Sequence, residues 1–150
     1  MKIGYQAMSV IAFVMLVGVS SASAADAREA TISATQGEVF VRQEQGEWMP
    51  AEPGMKLGLQ DELKTDKHAS ADILLDKGNV GNVHISEKSL FKIDRMDVDR
   101  SSGDKFTMLN LAIGKVLVHA EKLEGASRFE VKTPTSTTGV RGTMFEVSVE

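Results

Sequence analysis

The chain has 150 residues, contains no cysteine, and carries a net charge of −4 from 17 basic and 21 acidic side chains. This acidic balance argues against nucleic acids and anionic lipid surfaces as partners. The lack of cysteine excludes disulfides, thiol catalysis, thiolate metal sites and a lipid anchor on cysteine. The length suits one small domain.

The N-terminal segment has the pattern of a signal peptide. Lys2 precedes an apolar run at residues 10–19, and Ala22-Ser23-Ala24 has the small side chains of a cleavage site. We predict a signal peptide over residues 1–24, with cleavage after Ala24 or, as second choice, after Ala25. The apolar run is well short of the ~20 residues of a membrane-spanning helix. We therefore expect no stable membrane anchor and a periplasmic or secreted location.

Beyond the signal peptide the chain has the pattern of short strands. Residues 25–36 are polar and small and are predicted to form a flexible lead. Residues 94–105 are predicted as a charged loop, and residues 112–124 have a weak helical alternative. Strands are predicted at residues 37–42, 47–49, 61–65, 70–75, 83–85, 89–93, 106–119 (interrupted at Gly114-Lys115), 129–131 and 145–149. The predicted fold is one all-β domain over residues 37–150, either β-solenoid-like or a sandwich.

The most informative stretch lies near the C-terminus. Gly139 and Gly142 bracket Val-Arg and predict a sharp chain reversal, because glycine adopts positive φ at little cost. After it, Phe145, Val147 and Val149 alternate with polar residues, which indicates a half-buried strand. The chain stops at Glu150 within this strand, so either the sequence is truncated or the strand needs a partner from elsewhere.

This stretch resembles the signature of the FecR domain, a periplasmic all-β module of bacterial envelope signalling proteins. Weaker matches begin at Gly37-Glu38-Val39 and include Asp61-Glu62-Leu63-Lys64-Thr65 and Leu111-x-x-Gly114-x-Val116. The resemblance covers about residues 37–149. The residues that match the signature are Thr133, Pro134, Gly139, Val140, Arg141, Gly142, Thr143 and Phe145.

The resemblance implies a location in a Gram-negative envelope. The iron-uptake regulators of the family carry a cytoplasmic anti-sigma segment and a transmembrane helix before the domain. This chain instead starts with a signal-peptide pattern, so we do not expect direct contact with a cytoplasmic sigma factor.

No residue pattern points to catalysis, a cofactor or a metal. His68, His84 and His119 are far apart in sequence and are interpreted as surface or structural histidines. The acidic run between Asp94 and Asp104 lacks the spacing of a calcium loop and is interpreted as a solvated hairpin tip. We therefore predict a protein that is not an enzyme.

Two side chains are candidates for recognition. Trp48 could anchor an interface, although such a residue more often caps a small core. Arg141 could recognise a carboxylate of a partner. We favour a structural role in which it pins its turn to an acidic neighbour, with Asp61 as the candidate.

The predicted function is a non-catalytic, secreted module that binds another envelope protein in assembly or cell-surface signalling. Self-association is a second option, with Trp48, Val147 and Val149 as possible interface residues. The rival hypothesis is a cell-wall carbohydrate-binding module, which would require an exposed row of aromatic side chains.

Overall fold

The computed structural model describes residues 28–140 and 142–150. The predicted signal peptide, its cleavage site and Arg141 lie outside the described residues. The strands are β1 Ala30–Gln36, β2 Val39–Arg42, β3 Trp48–Pro50, β4 Lys56–Leu57, β5 Glu62–Thr65, β6 Ser70–Leu75, β7 Gly81–Ile85, β8 Leu90–Val98, β9 Lys105–Ala120, β10 Arg128–Lys132, β11 Thr137–Val140 and β12 Met144–Val149. A single 3₁₀ turn at Asp76–Gly78 follows β6, and the described residues contain no α-helix. The predicted all-β class is confirmed.

The strands form one curled, half-barrel sheet. Its main path runs in the order β3-β2-β5-β8-β9-β7-β6-β1-β4, and β10 and β12 also pair with β9, while β11 pairs with β10. All neighbours are antiparallel except β9 and β10. The connectivity is therefore that of a curled antiparallel sheet, not of stacked parallel rungs.

Strand β9 organises this sheet because its two halves have different neighbours. Its first half pairs with β8 and β10, and its second half pairs with β7 and β12. The change falls at Gly114, which has a φ of +100°. A side chain there would meet the backbone of Ser89, with the Cβ only 2.5 Å from the Ser89 Cα. Glycine is therefore required at this bend by both its backbone conformation and its close packing.

The sheet turns along a line that crosses several strands. The corner between β1 and β2 contains Gly37, that between β5 and β6 contains His68, and that between β7 and β8 contains Lys88, each with positive φ. The backbone links these corners, since the Asp66 N–H donates to the Glu38 carbonyl and the Lys88 N–H to the Asp66 carbonyl. These corners and the bend in β9 lie between the two halves of the curled sheet, where the chain passes from one half to the other.

Two buried hydroxyls stabilise the corners between the two halves of the sheet. Thr65 and Ser89 are 2% and 1% exposed. The Thr65 hydroxyl donates to the Ser86 carbonyl at 2.6 Å and accepts the Ser89 N–H at 3.0 Å. The Ser89 hydroxyl in turn accepts the Lys115 N–H at 3.0 Å. Corner backbone groups are thus satisfied by side chains where the regular ladder is interrupted.

The core lies inside the curl as one apolar cluster. Alternate residues of the strands point into it, as the burial pattern of β6 shows with Ala71, Ile73 and Leu75 buried and their neighbours half-exposed. Its largest fully buried side chains are Phe91, Phe129, Ile32, Leu63, Ile73, Leu75, Ile85, Ile93, Leu109 and Leu111. Every buried polar side-chain atom of the described residues has a hydrogen-bond partner.

The predicted flexible lead is wrong for residues 30–36. These residues form β1, which pairs with β6 along its whole length and with β4 at its start. Ala30 and Ile32 are fully buried. The small side chains of this segment suggested a mobile linker, but they suit a strand that lies close to its neighbours.

Arg28 fixes the start of this strand from inside the protein. Its side chain is 3% exposed, and its Nε lies 2.8 Å from the Asp76 carboxylate. Its guanidinium also donates to the Phe106 carbonyl and to the Thr107 hydroxyl, each at 2.8 Å. One arginine therefore joins the end of β6 to β9, and its planar fork suits this set of acceptors.

One further prediction of local structure is wrong, since residues 94–98, predicted as loop, extend β8. The strand predicted at residues 106–119 is confirmed as β9, and its weak helical alternative at residues 112–124 is not found. The charged side chains of β8 lie on the outer face, where Asp94 accepts from Asn110 and is 3.2 Å from Lys92. An outer face can carry charges without breaking the ladder, so charge density did not mark a loop here.

Candidate functional site

The sheet edges of the described residues are β3, β4, β11 and β12, and they differ in how well they are protected. β3 has three residues and ends in Pro50, β4 has two residues, and β11 has four with Gly139 among them. β12 has six residues, with no proline, no lysine and no register shift against β9. Natural edges are usually blunted by shortness, proline, charged side chains or bulges. Of these devices β12 has only the charge of Glu146, and it is the longest of the four edges.

The register of β12 shows which backbone groups face outward. Thr143 precedes the strand, and its carbonyl accepts the Ala120 N–H at 3.1 Å. Because backbone groups alternate along an antiparallel strand, those of Phe145, Val147 and Val149 also point toward β9. Those of Met144, Glu146 and Ser148 then point to the open side. The edge therefore presents a regular set of donors and acceptors.

The side chains of β12 fall into two rows. Phe145, Val147 and Val149 are half-buried and pack against the core cluster. Met144, Glu146, Ser148 and Glu150 are exposed on the outer face. The half-buried strand predicted from the alternation is found here. Its apolar row is covered on the side of β9 and partly open on the other.

The outer row carries one ion pair across β9 and β12. The Lys115 ammonium lies 3.3 Å from the Glu146 carboxylate. Both side chains are about half-exposed, at 47% and 53%, so this pair is worth little in stability. The pair places one positive and one negative side chain beside the open edge.

The described signature residues lie in a hairpin turn, in the edge strands β11 and β12, and in the connection between these two strands. Thr133 is buried, and its hydroxyl accepts the N–H groups of Ser136 and Thr135 across Pro134. Its own N–H donates to the Ser136 carbonyl at 2.8 Å. Thr133 and Pro134 therefore form the tight turn between β10 and β11.

The predicted reversal bracketed by Gly139 and Gly142 is only half right. Gly139 lies within β11 opposite Glu130 and does not have positive φ. Gly142 has a φ of +62°, and a Cβ there would lie 3.0 Å from the Lys122 Cα. The chain therefore changes direction at Gly142 and not at Gly139. Val140 closes β11 opposite Phe129.

Arg141 lies outside the described residues, and its predicted structural role stays a prediction. Asp61, the candidate partner, is buried and has acceptor contacts of its own. Its carboxylate accepts the Gly58 N–H at 2.8 Å and the Glu44 N–H at 3.2 Å. These bonds organise the turn that leads into β5.

Trp48 does not cap the core. It lies opposite Arg42 on β2, and because Val41 is buried, Arg42 and Trp48 share the outer face. The Arg42 guanidinium is 4.7 Å and the Lys64 ammonium 5.1 Å from the Trp48 ring centroid. The indole thus forms a cation–π cluster on the surface. Sequence alternation around β2 and β3 could have shown this placement.

Among the described residues, the histidines and acidic side chains form separate pairs and turn contacts. The His84 Nδ1 lies 2.7 Å from the Asp72 carboxylate on the outer face, and both side chains are nearly half-exposed. No group of three metal-ligating side chains occurs among the described residues. The Asp99 carboxylate is bonded by the Ser101 hydroxyl and by backbone N–H groups, which lower its pKa. That aspartate caps the tip of the β8–β9 hairpin.

An open cleft lies between the end of β12, the bend in β9 and the corner that joins β7 to β8. It has a volume of about 430 Å³ and is lined by residues that include Glu87, Ile113, Lys115 and Val149. The Glu87 carboxylate accepts the His68 N–H at 2.5 Å, and this bond lowers its pKa. The cleft adds apolar surface, including half-exposed Ile113, at one end of the β12 edge.

The described geometry is that of an all-β domain with an open sheet edge. The FecR protein family model matches residues 61–150, from the turn before β5 through β12. The chain belongs to the FecR family, a bacterial envelope-associated signalling family that is generally regulatory. No curated protein and no solved structure matches it. None of the described residues form a helix with the length and hydropathy needed to cross a bilayer.

Proposed function

We propose that this protein is a non-catalytic, periplasmic or secreted FecR module that binds an envelope protein in assembly or cell-surface signalling. The observation that carries the proposal is the open edge of β12. Its outward backbone groups at Met144, Glu146 and Ser148 can accept one more strand. Membership of an envelope signalling family supports the location and the regulatory role.

Strand addition explains how such a module binds without a deep pocket. Main-chain hydrogen bonds supply affinity, and alternate side chains supply specificity. On β12 the apolar row of Phe145, Val147 and Val149 offers contacts on one face of an added strand. The outer row offers Glu146 and Glu150 to basic or polar groups on its other face.

The carbohydrate alternative has no comparable support. The large apolar side chains exposed among the described residues are Met49, Leu59, Ile113 and Met144. None of them is aromatic, and the Trp48 ring is already stacked by two cations. A stacking platform for sugars is therefore not among the described surfaces.

The test is a proline substitution at the open edge. Ser148→Pro removes an N–H that points away from β9, whereas Ser148→Ala keeps it. The tagged protein is used to recover partners from envelope extracts. We expect recovery by Ser148→Pro to fall about tenfold, which corresponds to roughly one backbone hydrogen bond, while Ser148→Ala behaves like wild type.

A matched control places proline on another edge. The Thr133 N–H donates to Ser136, so the backbone groups of Thr137 on β11 point away from β10. Thr137→Pro should fold and retain the partner. Melting curves of all three variants establish that they are folded. Undiminished recovery by folded Ser148→Pro would contradict strand addition at β12.

A further inference from the structure

We infer that the strand that pairs with β12 is β12 of a second copy, antiparallel and related by a two-fold axis at Val147. The inference rests on the proposed function, because it names the occupant of the same edge.

The backbone alternation limits how two copies can pair. The outward groups belong to Met144, Glu146 and Ser148, so only registers that place outward residues opposite outward residues complete the ladder. A one-residue slip would also turn the apolar row to the wrong face. Over residues 144–150, two-fold pairing centred on residue 146, 147 or 148 matches at least five residues, whereas centres at 145 or 149 match only three.

The charges select among these three registers. Centred on residue 146, the pairing places Glu146 directly opposite Glu146 of the second copy. Centred on residue 148, it places Glu146 opposite Glu150 of the second copy. Like charges directly opposite each other destabilise a strand pair. Centred on Val147, the pairing places Glu146 opposite Ser148 of the second copy, and no acidic pair is directly opposed.

The same register also completes the apolar row. Phe145 lies opposite Val149 of the second copy, and Val147 lies opposite its own equivalent. Aromatic and β-branched cross-strand pairs of this kind stabilise sheets. The apolar row of each copy is half-buried before pairing. The pairing therefore covers apolar surface that β9 leaves open. On the outer face, Lys115 lies opposite Ser148 across the ladder and is brought near Glu146 of the second copy.

Single cysteine substitutions show which residues of the two copies lie opposite each other, because a disulfide forms only between close positions. The chain contains no other cysteine. Val147→Cys at the two-fold axis would occupy a non-hydrogen-bonded pair with Cα atoms about 4.5 Å apart, within disulfide reach. In that register two copies of Glu146→Cys or Ser148→Cys are diagonal, about 7–8 Å apart, which is too far for an unstrained disulfide. Each alternative register favours one of those two variants instead.

The experiment oxidises each purified, folded variant and measures the fraction of disulfide-linked dimer. We expect Val147→Cys to crosslink about tenfold more than Glu146→Cys and Ser148→Cys. Adding Ser148→Pro to Val147→Cys should abolish the crosslink, while adding Thr137→Pro should preserve it.

The outcomes separate this inference from the proposed function. Dominant crosslinking at residue 146 or 148, equal crosslinking of all three, or no dimer overturns the Val147 register. If no dimer forms but Ser148→Pro still loses an envelope protein, a different strand occupies the edge and the proposed function stands. If the dimer forms and no partner is lost, the proposed partner fails and self-pairing stands.

Discussion

Gly114→Ala tests whether the bend in β9 holds the two halves of the sheet in place. Gly114 has a φ of +100°, and an added Cβ would lie 2.5 Å from the Ser89 Cα. The contact is with backbone, so no rotamer change relieves it. The Ser89 hydroxyl, which accepts the Lys115 N–H, would also be displaced.

Three contributions set the expected size of the effect. Placing alanine at positive φ costs about 1 kcal/mol. Forcing apart a packed corner costs about 1–3 kcal/mol. Losing a buried hydroxyl bond costs about 1 kcal/mol. We therefore expect the free energy of unfolding to fall by about 3–5 kcal/mol.

The control is Gly103→Ala in the β8–β9 hairpin. Gly103 has a φ of +77°, but nothing lies within 4 Å of its added Cβ. This variant should lose only about 1 kcal/mol, the conformational cost alone. Urea unfolding followed by Trp48 fluorescence gives both values. A Gly114→Ala variant within about 1 kcal/mol of Gly103→Ala would refute a tightly packed corner.

Two further predictions concern the N-terminal strand. Arg28→Ala should lower the free energy of unfolding by about 1–3 kcal/mol, because the buried Thr107 hydroxyl loses its donor while the Asp76 carboxylate keeps the Glu29 N–H; a denaturant midpoint close to wild type would contradict this. The hydrogen bond with Lys56 lowers the pKa of Glu29 below its ordinary 4.5 and raises that of Lys56 above its ordinary 10.5. The pair should therefore stabilise between those values and lose effect on acidification below 4.5 or at alkaline pH above 10.5. The difference in melting temperature between wild type and Lys56→Met should shrink in both directions, and a difference independent of pH would argue against the pair.

Local patterns predicted most strands because alternation reports burial directly. The segment of Ala71, Ile73 and Leu75 and that of Phe145, Val147 and Val149 each have one apolar face, and both are strands. The wrong predictions concern residues whose conformation depends on pairing with strands distant in the sequence. Residues 30–36 are strand because β6 and β4 lie on either side.

The candidate site was predicted in part for the same reason. The residues of β12 and its two faces follow from alternation alone. Its exposure as an edge depends on which strand pairs with β9, and that choice involves segments far apart in sequence. Arg28 was missed because its acceptors on Asp76, Phe106 and Thr107 are 48 to 79 residues away. An isolated arginine gives no local sign of such partners.

The central position of β9 has a consequence for the order of folding. Four strands pair with β9, and two of them, β7 and β8, precede it in the chain. During synthesis, the earlier strands must wait for residues 105–120 before the two halves of the sheet can join. Such non-local ladders form slowly and leave strand edges open to association in the meantime. The edges of β7 and β8 that pair with β9 therefore stay open until residues 105–120 have been made, and association during that interval competes with completion of the sheet.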